Sequence, residues 1–129
     1  MSRRHKDWIA QAREDLRAAK HSLGGERFEW AAFQAQQASE KALKALLRFH
    51  NRDVEGHSVS HLLRDVAEYI EVSLDLVSMA KDLDRHYIQP RYPNSFPEGY
   101  PAEFYTQETA TRCVHFAERI VEFAERHLS

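Results

Sequence analysis

One cysteine, four glycines and four prolines among 129 residues exclude a disulfide framework and argue against a hairpin-rich β fold, which consumes turn residues. Cys113 stands alone, so it forms no internal disulfide; it agrees with a reducing compartment and reads as a small buried hydrophobe. No apolar run approaches the ~20 residues that a membrane helix needs, and the opening "MSRRHKDW" lacks the apolar block of a secretory signal. A soluble, cytoplasmic protein without membrane contact is therefore expected. An excess of charge of one sign is missing too. The formal net charge is −2, which excludes a basic nucleic-acid-binding surface over the whole chain and confines any anion site to a local patch.

What is present is helical. Apolar residues make up 43% of the chain and charged residues 29%, enough for one core and one domain, residues 1–129. Ile9, Ala12, Leu16, Ala19 and Leu23 recur at spacings of three and four, the stripe of an amphipathic helix, and Gly24 and Gly25 stop it. A second stripe runs through Ala31, Ala35, Ala38, Ala42, Leu46 and Phe49. Its alanines suit close helix approach, and Trp30, Phe33, Leu43 and Leu47 widen its apolar arc, as expected of a central helix. Ser58 or Ser60 caps a third helix through Val59, Leu62, Leu63, Val66 and Ile70. The fourth follows Leu76, Ala80, Leu83 and Tyr87 and ends before Pro90, since the residue preceding a proline is pushed out of helical geometry. Thr106 caps the last, along Ala110, Val114, Ala117, Val121, Ala124 and Leu128, with a second apolar row of Cys113, Phe116, Ile120 and Phe123. These stripes predict an all-α, antiparallel four-helix up-and-down bundle with an additional short helix. The wide apolar arcs on the second and last helices predict a partner surface, most simply that of a homodimer.

Between the last two helices the stretch "YIQPRYPNSF", Tyr87 to Phe96, gathers two prolines, two tyrosines, a phenylalanine and an arginine where the chain cannot stay helical. A linker would be small and polar. Arg91 with Tyr92 and Asn94 has the composition of a site that grips a phosphate and stacks a base. Alternatively, Arg91 pairs with a carboxylate such as Asp84, and Tyr92 and Pro93 plug the end of the bundle. Tyr87 closes its own helical stripe and reads first as core.

In this order and at these separations, "DWIAQAREDLRAA", "FQAQQASEKALKALL", "GHSVSHLL" and "LDRHYIQPRYPN" resemble the HEPN family of small prokaryotic helical domains over nearly the whole chain. The resemblance implies a dimerising bundle of four to five helices, a minimal nucleotidyltransferase as partner, and toxin–antitoxin behaviour. Active members of the family are metal-independent RNases with an arginine followed several residues later by a histidine. Arg91 falls at the arginine position, but "RYPNSFPEGY" holds no histidine. Metal-free cleavage needs a base and an acid as well as a cation, and Arg91 supplies only the last. His86, just upstream, and His57 are the catalytic candidates that could complete it. The resemblance also makes Tyr92 or Tyr100 a candidate acceptor of AMP from the nucleotidyltransferase.

His57 and His61, four apart, have metal-ligand spacing, but no glutamate follows His57 as in an H-E-x-x-H motif and no cysteine cluster or clear third ligand accompanies them, so no metal and no cofactor is expected. Lys41 and Lys44 either add positive charge near the cleft or belong with Glu40 to a solvated helix face. Candidate nucleotide or RNA contacts are thus Arg91, Tyr92, Asn94, Tyr87, His57 and Lys41. Three functions follow: a binding module for a nucleotide or RNA in a dimer cleft, a metal-independent RNase toxin using Arg91 with a histidine, or a structural module that binds a partner protein.

Overall fold

The computed structural model describes residues 4–128; residues 1–3 and 129 of the expected single domain lie outside the described residues. Six α-helices follow one another: α1 (His5–Gly24), α2 (Phe28–Phe49), α3 (Val59–Val66), α4 (Leu74–Asp84), α5 (Pro101–Phe104) and α6 (Gln107–Arg126), with a 3-10 turn at Pro93–Ser95. There is no strand among the described residues.

Side-chain pairs fix the directions. Lys41 meets Asp15 at 2.6 Å and Ser22 meets Gln34 at 2.6 Å, so α2 runs back along α1. Lys20 meets Glu118 at 3.1 Å and Arg13 meets Glu125, so α6 also opposes α1. Arg112 reaches Asp82 at 3.1 Å while Tyr105 reaches His86, which sets α4 against α6. Helices α1, α2, α4 and α6 therefore form the expected up-and-down bundle, and α3 is the additional short helix. Helix α2 is central: every residue from Ala42 to Leu47 is buried, leaving this part of the helix no solvent face.

The caps lie where local chemistry puts them. Ser58, Ser73 and Thr106 accept from the backbone N–H groups of His61, Leu76 and Thr109 at 3.2 Å each. At Gly24 and Gly25 the helix stops as expected, but neither glycine takes the left-handed conformation. Glu26 does, at φ 59°. Helix α3 ends at Val66 rather than Ile70, where bonds from Glu68 to Asp65 and from Tyr69 to Val66 tighten the chain. Helix α4 ends at Asp84, short of Tyr87, and residues 85–91 continue as turns; Pro90 offers no N–H to prolong it. The long connection before α6 holds one turn of helix, α5, entered through Gly99 at φ 85°. That backbone conformation favours glycine, and a Cβ there would also displace the ends of the Glu103 and Phe104 side chains, met at 2.5 and 2.7 Å.

Most of the apolar arcs of α2 and α6 is covered within the chain: Leu43, Leu46 and Leu47 on α2 and Cys113, Ile120 and Phe123 on α6 are buried, Phe33 and Phe116 are half-buried, and Trp30 keeps 44% of its surface in solvent. No helix among the described residues is long and apolar enough to cross a membrane.

Candidate functional site

The turns after α4 aim Arg91 back at α2. Its Nε donates to the Tyr87 carbonyl at 2.8 Å, and the guanidinium carbon lies 4.3 Å from the centre of the Phe33 ring, 4.7 Å from Tyr87 and 5.3 Å from Tyr92. A flat cation on ring faces is held by their quadrupoles and not by an opposite charge. Among the described residues no carboxylate pairs with Arg91, and neither terminal nitrogen has a protein hydrogen-bond partner. Asp84, the alternative partner read from the sequence, is engaged elsewhere. It accepts from Val59 N at 2.5 Å, from Ser60 Oγ at 2.5 Å and from Ser58 Oγ at 3.0 Å, closing the N-terminus of α3. That alternative for Arg91 is overturned.

Beside this cluster stands His57, on the loop entering α3. Its ring stacks on Tyr87 with centroids 4.5 Å apart and planes 15° apart, so His57 and Arg91 touch the same tyrosine. Tyr87 is thus part of the site and not simply core. Behind His57 lies a polar row on α2. Gln36, Glu40 and Lys44, each one turn from the next, point the same way and are buried. The Gln36 amide donates to the His57 carbonyl at 2.9 Å, Lys44 Nζ meets Glu40 at 3.2 Å, and Glu40 Oε1 lies 3.2 Å from His57 Nδ1. Carboxylate on Nδ1 leaves Nε2 as the outer nitrogen, on a side chain that is 54% exposed. The solvated face assigned to Glu40 and Lys44 is therefore corrected. The signal was there: Gln36, Glu40 and Lys44 fall inside the apolar arc that runs from Leu43 and Leu47 round to Phe33 and Trp30. Neither Glu40 nor Phe33 was named as a site residue from the sequence.

The other candidates divide: Tyr92 stays with Arg91 and Asn94 follows it on the same turn, while the rest lie apart. Lys41 turns toward α1, with Asp15 at 2.6 Å and Gln37 at 3.2 Å, and so does not join Arg91. Asn94 is exposed on the 3-10 turn, and Tyr92 and Tyr100 keep 47% and 56% of their surface in solvent. His61 lines a groove between α3 and α4 with Leu63, Arg64 and Val77, which separates it from the Glu40 row. His86 is buried and faces α6: Nδ1 lies 2.8 Å from the Tyr105 hydroxyl, and Nε2 lies 3.3 Å from Asp82. Burial pushes the His86 imidazole below its usual pKa, against the raising effect of the Asp82 charge. Burial likewise pushes the Tyr105 hydroxyl upward and the Cys113 thiol up to about 12. Of the two histidines offered as partners of Arg91, the fold brings His57 to the cluster and sets His86 among other groups.

Tyr87 also borders an open groove of about 610 Å³ with Asp84, Arg85, Ile88, Gln89 and Ser95, a size that suits a nucleotide-scale ligand. Chemically, the site offers a cation with free N–H groups, several flat rings, and an imidazole oriented by a buried carboxylate.

The sequence model of the HEPN domain matches residues 5–127. A proposed toxin of Methanocaldococcus jannaschii is 33% identical, over 89% of this chain and 82% of that protein. Among solved structures, the Thermus thermophilus protein TT1696 superposes with a TM-score of 0.95 at 43% identity, covering 98% of this chain and 100% of that one. An archaeal HEPN homologue gives 0.83 at 37% identity with both chains fully covered. A HEPN domain protein of Thermotoga maritima gives 0.78 at 33%, over 95% of this chain and 97% of that one.

Proposed function

For a chain that belongs to the HEPN family, we propose that the cluster around Arg91 binds a nucleotide or a short single-stranded RNA. In this reading a second copy of the chain completes the cleft, and the protein is the cytoplasmic partner of a minimal nucleotidyltransferase in a toxin–antitoxin pair. One observation carries the binding step: the terminal nitrogens of Arg91 are unpaired while three rings hold the ion in place. A phosphate takes two parallel N–H bonds from such a fork, and a base stacks on exposed Tyr92, with Asn94 and His57 as polar neighbours. The toxin–antitoxin setting is supported by similarity to the proposed toxin of M. jannaschii. A second copy is supported by Trp30, Ile88 and Tyr92, each about half exposed at this end of the bundle. Equilibrium binding of fluorescent nucleotides and single-stranded RNA at low salt tests the reading. Saturable binding that is lost in Arg91→Ala is expected; no binding, or binding indifferent to that change, overturns it.

The contact between Glu40 and His57 favours a second reading, metal-independent RNA cleavage with His57 as the proton-transfer group and Arg91 answering phosphorane charge. Cleavage in the presence of chelator, lost in His57→Ala, distinguishes this from binding alone. An inert wild type that causes no growth arrest on induction removes it.

A further inference from the structure

Outside the Arg91 cluster, α4 and α6 bring together a second set of chemically able side chains. Asp82 and His86 stand one turn apart at the end of α4 and both face α6, where Cys113 comes to meet them. A carboxylate oxygen of Asp82, a ring nitrogen of His86 and the Cys113 sulfur all lie within 4.8 Å of one another. His86 Nε2 and Asp82 Oδ1 are 3.3 Å apart. Two ligands at zinc distances on a tetrahedral ion are separated by about the same, ~3.3 Å.

His86 Nδ1 meets the Tyr105 hydroxyl at 2.8 Å, and that hydroxyl also reaches Gln89 Oε1 at 3.3 Å. In the tautomer that carries its hydrogen on Nδ1, the ring donates to Tyr105 and Nε2 keeps its lone pair on the side of Asp82 and Cys113. Cys113 is fully buried, and among the described residues its thiol has no hydrogen-bond partner. Arg112 holds Asp82 through Oδ2 at 3.1 Å, so Oδ1 stays available.

We propose that Asp82, His86 and Cys113 form a binding site for a divalent metal of the zinc class, with a fourth coordination position left for water or a small anion; of the three ligands, His86 also borders a pocket. That pocket, about 250 Å³, is lined by His86, Gln89, Tyr105, Thr109 and Arg112 among others. Imidazole, thiolate and carboxylate are ordinary zinc ligands, and three of them with one open position is the pattern of a site that takes water or a small anion. Binding converts the thiol to a thiolate, and its proton leaves to solvent. Thiolate and carboxylate carry two negative charges, while the metal and Arg112 carry three positive ones; the single excess positive charge favours an anion such as hydroxide in the fourth position. Tyr105 supports the site by fixing the His86 tautomer and ring, as outer partners of metal-bound histidines do. This metal departs from the expectation of none drawn from the sequence, where only His57 and His61 had suggestive spacing.

Cobalt(II) is the probe. The full chain, stripped of metal and kept reduced, is titrated with it and then back-titrated with zinc. One equivalent is expected, with the visible bands of a tetrahedral ion and a thiolate-to-cobalt charge-transfer band that zinc abolishes. Cys113→Ser removes the charge-transfer band, and the Tyr105→Phe variant, which keeps all three ligands, binds about tenfold more weakly or worse. His57→Ala combined with His61→Ala leaves the signal unchanged. The proposal is overturned if the folded wild type takes up no cobalt, as it would if a second ring proton already bridges His86 and Asp82. It is equally overturned if the charge-transfer band survives in Cys113→Ser, or if the His57 and His61 changes abolish binding.

Discussion

The imidazole of His57 lies flat on the ring of Tyr87, centroids 4.5 Å apart, which ties the loop before α3 to the turns after α4. Through that stack the buried Glu40 carboxylate on one side and the Arg91 guanidinium on the other become parts of one site. The negative group is spent internally on Lys44 and His57, and the positive group is left facing outward. In the proposed reading, this asymmetry is what suits the patch to an anion in a chain whose net charge is −2.

Arg91 carries the first prediction. Arg91→Ala weakens nucleotide binding by about ten- to a hundredfold, the value of one or two charge-assisted hydrogen bonds, and lowers the salt slope for RNA by about one. Arg91→Lys recovers only part of the affinity, because a compact ammonium neither forks nor lies flat on three rings. Fluorescence anisotropy at two salt concentrations measures both; full rescue by lysine contradicts the stacked geometry.

Glu40 and Lys44 are buried as a pair, with side chains 6% and 10% exposed. Removing one partner strands the other, so Glu40→Ala costs about 3 kcal/mol or more in urea unfolding. The double change Glu40→Gln with Lys44→Met costs less than Glu40→Ala alone. If the two single costs simply add, the pair is not coupled as described.

Asp84 acts as a cap supplied from a distant helix, accepting from Ser58, Val59 and Ser60. Asp84→Ala therefore lowers stability by about 2 kcal/mol, and Asp84→Asn by less, since the amide oxygen still accepts. Hydrogen exchange localises the effect: the amides of Val59 and Ser60 lose protection before those of α2.

Glu26 holds φ 59° without the freedom of a glycine. Left-handed backbone costs an ordinary residue about 1 kcal/mol, so Glu26→Gly raises the urea midpoint by a correspondingly small amount. Gly99→Ala does the reverse, since φ 85° is strained for any residue with a Cβ and the new methyl must also push aside the ends of Glu103 and Phe104.

Helices α1, α2 and α6 were legible because a helix needs only neighbours along the chain: stripes at spacings of three and four and caps at Ser58 and Thr106 are local facts. The up-and-down order followed from connections of ordinary length, the one before α6 excepted. The site was half legible. Arg91, Tyr87 and His57 were named, since an arginine among rings in a broken helix is conspicuous, whereas a solvated face for Glu40 and a pairing of Asp84 with Arg91 stood as open alternatives that the structure removes. Both alternatives concern charge. Where a charged side chain ends depends on which distant group lies across from it, and helix periodicity does not encode that.

By itself, then, the sequence determined an all-α bundle, its caps and the break in the helical pattern that carries Arg91, because backbone hydrogen bonding and apolar spacing are short-range. Only the tertiary structure decided that Glu40 serves His57, that Asp84 closes α3 and leaves Arg91 free, and that Asp82, His86 and Cys113 converge. These pairings join residues from different helices, and they exist only once packing of the α2 and α6 faces has brought those helices into register.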